Sequence, residues 1–251
     1  MPCRTLIIAH GGFSSDYPTN TLPAIKAAIE LNVDYVEVDL NLSKDGEVIV
    51  IHDGTVDRTT DGSGRVRELT LSELKALDAG SWFHEKFTGV STSPLEEIIP
   101  LFKTSQTRLC LEIKLDIGGR PYKGMESKVV DLLKKHDMLD KFIITSFNKD
   151  VLRQIKALHP SLPTSYDPSN EEYETCSPRK LCLSTLSCGS HIMSCRHEVI
   201  DETFLSESRL LCVSIWAWTV NDLDRMRRLL ALGVEGILTD NPGLLQRVIS
   251  D

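Results

Sequence analysis

Residues 6–42, LIIAHGGFSSDYPTNTLPAIKAAIELNVDYVEVDLNL, carry the first strand–helix–strand pattern of the chain. It opens with a short apolar run at 6–9, which is typical of a buried strand. An amphipathic helix is predicted at 21–31 and a second strand at 35–42. A strand, a helix and a strand in this order are the repeating unit of an α/β protein with a parallel sheet.

The same alternation continues along the chain. After residue 42 the sequence predicts strands and helices in this order: strand 47–52, helices 71–77 and 94–102, strand 108–115, helix 126–136, strand 142–147, helix 149–158, strand 211–220, helix 222–232, strand 236–239 and helix 243–249. Residues 160–200 are less regular, with candidate strands at 162–166 and 190–195 and irregular helix between them. In 251 residues this pattern predicts an α/β fold, a (β/α)8 TIM-type barrel. We expect one domain over 1–251, with a turn-rich insertion at 53–93 after the second strand region.

Composition excludes some classes of function. The net charge of −8 argues against a nucleic-acid partner, which needs clustered Lys and Arg. No apolar run is long enough to span a membrane, and the apolar run near the N-terminus is too short for a signal peptide, so we expect a cytoplasmic protein. The seven cysteines favour reduced thiols. A metal site remains an alternative for one loose group: Cys176, Cys182, Cys188 and Cys195, near His191 and His197.

Acidic residues alternate with apolar ones in two predicted strands. Glu37 and Asp39 share one face of the 35–42 strand, because side chains two apart point the same way. Glu112 and Lys114 share a face of the 108–115 strand in the same manner. Adjacent carboxylates on a buried strand are costly unless a charge compensates them, and carboxylate oxygens are the ligands that hard divalent cations prefer. If the two faces meet in the barrel mouth, the three carboxylates form a cation site beside Lys114; the alternative is two exposed charged faces without a cation.

Two histidines end apolar runs. His10 closes the first run and precedes two glycines, and His52 closes the run at 48–51 and precedes Asp53. Cleavage of a phosphodiester requires a base for the attacking oxygen and an acid for the leaving oxygen, and a histidine pair can supply both. Each histidine on its own could instead be a structural hydrogen-bonding residue.

The order of these motifs resembles that of the glycerophosphodiester phosphodiesterase family along nearly the full chain. The shared residues are His10, Gly12, Pro18, Asn20, Thr21, Glu37, Asp39, His52, Asp53, RTTDGSG at 58–64, LDAG at 77–80, EIK at 112–114, WTVN at 218–221 and GILTDNP at 236–242.

The resemblance implies hydrolysis of a small-molecule glycerophosphodiester to an alcohol and glycerol 3-phosphate. It assigns these roles: His10 and His52 as the acid–base pair, Glu37, Asp39 and Glu112 as ligands of Mg²⁺ or Ca²⁺, Lys114 as a phosphate contact and Trp218 as a wall of the substrate pocket. Trp218 could equally be a barrel-filling aromatic like Trp216. The insertion at 53–93 resembles a lid-like subdomain of the family.

Two positions depart from the family pattern. Gly11 stands where the family has an Arg, and Thr19 stands where it has a Glu. Loss of the Arg removes a charge-assisted contact to the phosphate, which leaves neutralisation to the cation and Lys114. If the two family residues support each other, their joint replacement is one coupled change. The departures keep two alternatives open: a weakened enzyme-like protein that binds phospholipid head groups, and a lysophospholipase D-like or sphingomyelinase-like phosphodiesterase.

Overall fold

Eight parallel strands close into a barrel in the computed structural model, which describes residues 4–250. The strands are β1 (Leu6–His10), β2 (Tyr35–Leu42), β3 (Val48–Val50), β4 (Ser93–Pro94), β5 (Arg108–Ile113), β6 (Phe142–Ser146), β7 (Thr164–Tyr166), β8 (Ile192–Arg196), β9 (Ser214–Trp218) and β10 (Gly236–Thr239). The helices are α1 (Leu22–Glu30), α2 (Leu71–Lys75), α3 (Leu95–Ile98), α4 (Met125–Lys135), α5 (Lys149–Leu158), α6 (Asn170–Thr175), α7 (Pro178–Ser187), α8 (Glu202–Leu210), α9 (Leu223–Leu232) and α10 (Pro242–Ser250).

The barrel closes because the first strand pairs on both of its sides. The order around it is β1, β2, β5, β6, β7, β8, β9 and β10, and β1 then pairs with β10. All eight pairings are parallel, so helices connect the strands across the outside of the barrel. The predicted α/β barrel is confirmed. In the less regular region, both candidate strands form, as β7 and β8, with α6 and α7 between them.

The predicted strand at 47–52 lies outside the barrel. It forms β3, which folds back antiparallel on the end of β2, with Leu40 opposite Val50 and Leu42 opposite Val48. The reversal occurs at Gly46, whose φ of +83° a glycine adopts without steric strain. Because the chain doubles back, Ile51 returns to the level of Asp39 and donates its N–H to the Asp39 carbonyl oxygen at 3.0 Å.

Apolar residues form separate layers inside and outside the barrel. Alternate strand residues such as Val36 and Val38 pack outward beneath the helices. The interior holds a smaller apolar cluster: Ile8, Tyr35, Cys110, Ile143, Trp216 and Leu238. The rings of Tyr35 and Trp216 lie 5.2 Å apart, so this layer plugs the barrel beneath its carboxyl-terminal mouth. The polar residues above the plug therefore sit at the end of the barrel where active sites of this architecture form.

Residues 53–93 pack as an irregular segment over the outer face of the β2–β3 hairpin. Its regular elements are α2, β4 and two short 3-10 turns at Val66–Glu68 and Glu85–Phe87. The segment shares a small apolar core with β3: Ile49, Ile51, Val56, Val66 and Leu74. The helix α2 begins with a capping box between Thr70 and Glu73, which stabilises so short a helix.

The helices and cysteines of residues 4–250 test three further expectations from the sequence: a membrane span, disulfides and a second metal site. None of the helices in this range combines the length and the apolar character needed to cross a bilayer. The six cysteines in this range are free thiols, whereas Cys3 lies outside the described residues. The Cys and His residues of the loose group at 176–197 do not gather as metal ligands, because the acidic trio described below is the one such group found within 4–250.

Candidate active site and metal centre

Three neighbouring strands carry the acidic residues and the first histidine. The register of β1 on β2 places His10 beside Glu37, and the register of β2 on β5 places Asp39 beside Glu112. Glu37 and Asp39 are buried on the inner face of β2, opposite the outward-packed valines, as the alternation of side chains predicts. Strand pairing alone thus brings four predicted site residues together.

The acidic trio Glu37, Asp39 and Glu112 is arranged as a cation site. One ligand oxygen from each residue lies within 4.8 Å of the other two. The oxygens Glu37 Oε1, Asp39 Oδ1 and Glu112 Oε1 are buried and accept no hydrogen bond. Two of these oxygens face the Lys114 ammonium, whereas Glu37 Oε1 has no donor. Three carboxylate oxygens that converge in this way fit a hard cation that takes oxygen ligands. The donor set therefore suits a divalent metal ion, although it does not distinguish one such ion from another.

Burial and mutual repulsion shift the pKa values of the trio. Burial raises the pKa of Glu37 well above its usual range, and the neighbouring Asp39 charge adds to the rise. Burial also raises the pKa of Glu112. Asp39 behaves differently, because Lys114 and the two histidines outweigh its burial and lower its pKa. The site thus concentrates negative charge that a bound cation would compensate.

Lys114 lies against the trio, just beyond the end of β5. Its Nζ is 2.8 Å from Asp39 Oδ1 and 2.7 Å from Glu112 Oε1, at ion-pair distance but without the angles of a hydrogen bond. The two carboxylates outweigh burial and raise the pKa of Lys114, so that the ammonium stays charged. A cation that took over the carboxylate oxygens would leave this ammonium available to another anion.

His10 is held by an aspartate from the far end of the chain. Its Nδ1 lies 2.7 Å from Asp240 Oδ1, and Asp240 is itself fixed by Asn221 at 2.6 Å and by the Ser14 hydroxyl at 3.1 Å. Burial lowers the pKa of His10, but the Asp240 bond and the charges of Glu37 and Asp39 outweigh it and raise that pKa to about 9. An imidazole held at Nδ1 presents Nε2 to a ligand.

His52 has a corresponding partner in its own sequence neighbour. Its Nδ1 lies 2.6 Å from Asp53 Oδ1, while Arg58 Nε donates to Asp53 Oδ2 at 2.6 Å. The Arg58 bond is the main cause that lowers the pKa of Asp53. Asn41 holds the loop in place by donating to the Ile51 carbonyl at 2.8 Å.

Several of these supporting residues had no role in the sequence analysis. Asp240 belongs to the GILTDNP motif, but nothing in its spacing pairs it with a histidine 230 positions away. Asn221 belongs to the WTVN motif, and its bond to Asp240 is likewise not indicated by the sequence. Asn20 was quoted as well, and the structure shows its amide donating to Asp39 Oδ2 at 2.7 Å. For Asp53 a local signal was present, since it directly follows His52.

Two cavities meet at the histidines. The smaller cavity, of about 190 Å³, lies inside the barrel mouth, and the larger, of about 450 Å³, is more open. Both are lined by His10 and His52. The smaller cavity is also lined by Glu37, Cys110, Glu112, Lys114, Thr145, Phe147, Asp167, Ser194, Trp218, Thr219 and Leu238. The larger is also lined by Ser14, Thr19, Asp39, Asp53, Arg58, Trp82 and Asp240.

Trp218 and Trp216 occupy different places on β9. Trp218 is half-buried in the wall of the smaller cavity, where its ring meets that of Phe147 edge-on at 6.0 Å. Trp216 is buried in the apolar plug of the barrel. The two aromatic residues thus share the inner face of the strand at different depths.

The two departures from the family pattern touch each other. Gly11 has a φ of +61°, and a Cβ placed there would lie 2.0 Å from Thr19 Oγ1. Thr19 therefore fills the space into which a side chain at position 11 would begin. The Gly11 N–H donates to Glu37 Oε2 at 3.2 Å, so its backbone also helps to position the trio. A larger residue at position 11 thus requires a change at position 19.

Known proteins match this chain along nearly its whole length. The model of the glycerophosphoryl diester phosphodiesterase family matches residues 10–244. A glycerophosphodiester phosphodiesterase of Caldanaerobacter subterraneus is 37% identical, over 98% of both chains. One from Bacillus subtilis is 33% identical, over 98% of this chain and 87% of its own.

Solved structures of similar proteins share the fold. A phosphodiesterase from Oleispira antarctica, in complex with the product sn-glycerol-3-phosphate, is 28% identical with a TM-score of 0.84, over 98% of this chain and 97% of its own. A glycerophosphodiester phosphodiesterase from Agrobacterium tumefaciens is 25% identical with a TM-score of 0.81, over 97% and 99%.

Proposed function

The chain belongs to the glycerophosphoryl diester phosphodiesterase family, and on that premise we propose that it hydrolyses glycerophosphodiesters to an alcohol and glycerol 3-phosphate. One observation carries the proposal: two histidines, each paired with an aspartate, line both cavities beside three converging carboxylates. A phosphodiester bound across the junction of the cavities would meet an acid, a base and a cation site together.

In the proposed reaction, the oxygen of either water or a neighbouring substrate hydroxyl attacks phosphorus, and the bond from phosphorus to the alcohol oxygen breaks. One histidine takes the proton of the attacking oxygen, and the other gives a proton to the departing alcohol oxygen. If a substrate hydroxyl attacks, water then opens the resulting cyclic phosphate. Asp240 and Asp53 hold the imidazoles in position. Lys114 contacts a phosphate oxygen, and Trp218 closes one wall of the substrate pocket.

A divalent cation completes the proposed site. Glu37, Asp39 and Glu112 would hold it, and their oxygen-only donor set suits Mg²⁺ or Ca²⁺. Such an ion withdraws electron density from phosphoryl oxygens and makes phosphorus more open to attack. The side chains of the protein orient the ester and hold the imidazoles, and Lys114 neutralises the phosphate.

In this proposal the chain forms a single domain, and residues 53–93 are a lid-like segment of it. Trp82 of this segment lines the larger cavity and has 41% of its surface exposed. Its indole lies where an alcohol substituent would leave the site.

The exposed Trp82 also favours a second candidate substrate. A lysophospholipid carries an acyl chain that could lie against this indole, which would give lysophospholipase D-like hydrolysis. Parallel assays of lysophosphatidylcholine and glycerophosphocholine separate the two substrates through the ratio of their kcat/KM values. A protein that only binds head groups is less consistent with the site, because the histidines, their aspartates and the trio are all in place.

Choline release from glycerophosphocholine tests the proposed function. We expect release with Mg²⁺ or Ca²⁺, none with excess chelator, and a kcat lower by about 10²–10⁴-fold for His10→Asn, which is the typical cost of losing a general acid or base. His191→Asn is the matched control, because His191 is exposed and lies outside both cavities. Release that persists in chelator and in His10→Asn would refute the mechanism, and binding without release from any phosphodiester would favour the head-group binder.

A further inference from the structure

Polar residues continue around the barrel mouth beyond the proposed catalytic groups. Thr145 on β6 lies beside Glu112 in the strand register, Asp167 directly follows β7, and Ser194 lies on β8. All three line the smaller cavity. None of them belongs to a motif of the sequence analysis, and the proposed reaction uses none of them.

Asp167 is the unusual member of this group. Its residue surface is only 4% exposed, and among residues 4–250 no Lys, Arg or His forms an ion pair with it. One carboxyl oxygen, Oδ2, accepts the hydroxyl hydrogen of Thr145. Burial raises the pKa of Asp167 to about 8, and the charge of Glu112 adds to the rise. A buried carboxyl group without a cationic partner costs stability, so a structural role alone does not account for its position in a cavity wall.

The chemistry of the cavity narrows what this group can bind. The Thr145 hydroxyl donates to Asp167 Oδ2, and Ser194 Oγ pairs with Ser165 Oγ at 3.0 Å. Asp167 Oδ1 and the remaining lone pairs of the two hydroxyl oxygens can therefore accept hydrogen bonds from the hydroxyls of a ligand. Phe147 and Trp218 add apolar ring faces on which carbon–hydrogen groups can pack. A small polyol fits all of these features.

We propose that Asp167, together with Thr145 and Ser194, binds the glycerol hydroxyls of the substrate and selects for a diester that carries free glycerol. This inference rests on the proposed function and adds to it the orientation of the substrate in the two cavities. The glycerol arm lies in the smaller cavity, and the second ester arm extends past the histidines into the larger cavity near Trp82.

Paired substrates test the assignment. Glycerophosphocholine carries the two hydroxyls, whereas bis(p-nitrophenyl) phosphate carries none. For Asp167→Ala we expect kcat/KM for glycerophosphocholine to fall about 10–100-fold, as the loss of hydrogen bonds to a substrate hydroxyl typically does. Hydrolysis of bis(p-nitrophenyl) phosphate should change by less than about twofold, because it makes no hydroxyl contact. Asp167→Asn keeps the shape and hydrogen-bonding capacity and should lose less than Asp167→Ala.

Inhibition by the product is a second test, because a purely structural role of Asp167 would not change the inhibition by glycerol 3-phosphate selectively. Asp167→Ala should weaken inhibition by glycerol 3-phosphate and leave inhibition by inorganic phosphate unchanged. Thr164→Val is the matched control. Thr164 is buried on β7, the strand that Asp167 follows, but its hydroxyl bonds to Ser190 at 2.8 Å and does not line the cavity. The control should alter neither substrate preference nor inhibition.

An equal loss on both substrates, or an unchanged kcat/KM for glycerophosphocholine in Asp167→Ala, overturns the inference. If the wild-type protein cleaves neither diester, the proposed function fails instead. Calorimetric binding of glycerol 3-phosphate then still decides the inference, which stands if Asp167→Ala binds it more weakly than wild type and falls if the two affinities are equal.

Discussion

At the scale of single residues, both histidines are held at Nδ1 by a carboxylate. The aspartate of His52 is its sequence neighbour, so the pair is visible in the sequence. The aspartate of His10 comes from the end of β10, and only closure of β10 on β1 brings it within 2.7 Å. Both arrangements fix the same nitrogen and leave Nε2 for a ligand.

The pair of His10 and Asp240 makes a prediction about pH. In cation-free protein the pKa of His10 is raised to about 9, and Asp240→Asn should lower it by roughly one to two pH units because a charged partner is lost. A raised pKa in the folded state means that the pair's contribution to stability is fully present below the ordinary histidine pKa, about 6.5, and disappears as pH rises through about 9.

Two measurements check this prediction. NMR titration of the imidazole nitrogens reports the pKa directly. Urea unfolding should show Asp240→Asn to be less stable than wild type near pH 6, with a gap that closes above pH 9, the value to which the His10 pKa is raised. A gap that widens as pH rises would contradict the sign of the linkage.

At the scale of elements, the β2–β3 hairpin decides where the second histidine lies. The strand β2 is eight residues long, and its last residues pair with β3 beyond the barrel. Without the reversal at Gly46, His52 would be carried away from the trio. Asn41 secures the return, because it donates to the Ile51 carbonyl and accepts from the Tyr122 hydroxyl at 2.9 Å.

The segment at 53–93 should be able to loosen independently of the barrel. Leu74 is fully buried in the small core that this segment shares with β3, and Leu74→Ala should cost about 2–5 kcal/mol locally, because it leaves a cavity. Hydrogen–deuterium exchange should show faster exchange at 53–93 and little change in the barrel strands. Leu229→Ala on α9 is the control, since Leu229 is equally buried but packs in the outer core of the barrel. Equal acceleration throughout the barrel in Leu74→Ala would show that the segment is not a separate unit.

At the scale of the whole molecule, barrel closure concentrates charge in one place. Burial raises the pKa of Glu37 well above its usual range, and nearby Asp39 contributes. Ionised Glu37 is therefore destabilising in cation-free protein near neutral pH, because a carboxyl with a raised folded-state pKa favours unfolding above its unfolded-state pKa. A bound cation reverses this effect.

Glu37→Gln should consequently raise the stability of the cation-free protein and weaken cation binding. We expect a higher Tm than wild type in chelator and a smaller rise on adding Mg²⁺ or Ca²⁺. Wild type should gain about 5–10 °C at roughly a hundredfold excess over Kd, because such binding stabilises by about 2.7 kcal/mol. Asp131→Asn, an exposed acidic residue on α4, is the control and should behave like wild type in differential scanning calorimetry. An undiminished cation response in Glu37→Gln would exclude Glu37 as a ligand.

The barrel could be predicted from the sequence, because the alternation of strands and helices is a local pattern that each segment carries independently. It also indicated Glu37, Asp39, Glu112 and Lys114, since side chains two apart on a strand must share a face. Three contacts became visible only in the folded chain: Asp240 holds His10, Thr19 fills the space at Gly11, and Asp167 lines the smaller cavity. These contacts join residues whose separation along the chain has no periodicity, and they form only when the first strand meets the last and the loops settle over the closed mouth.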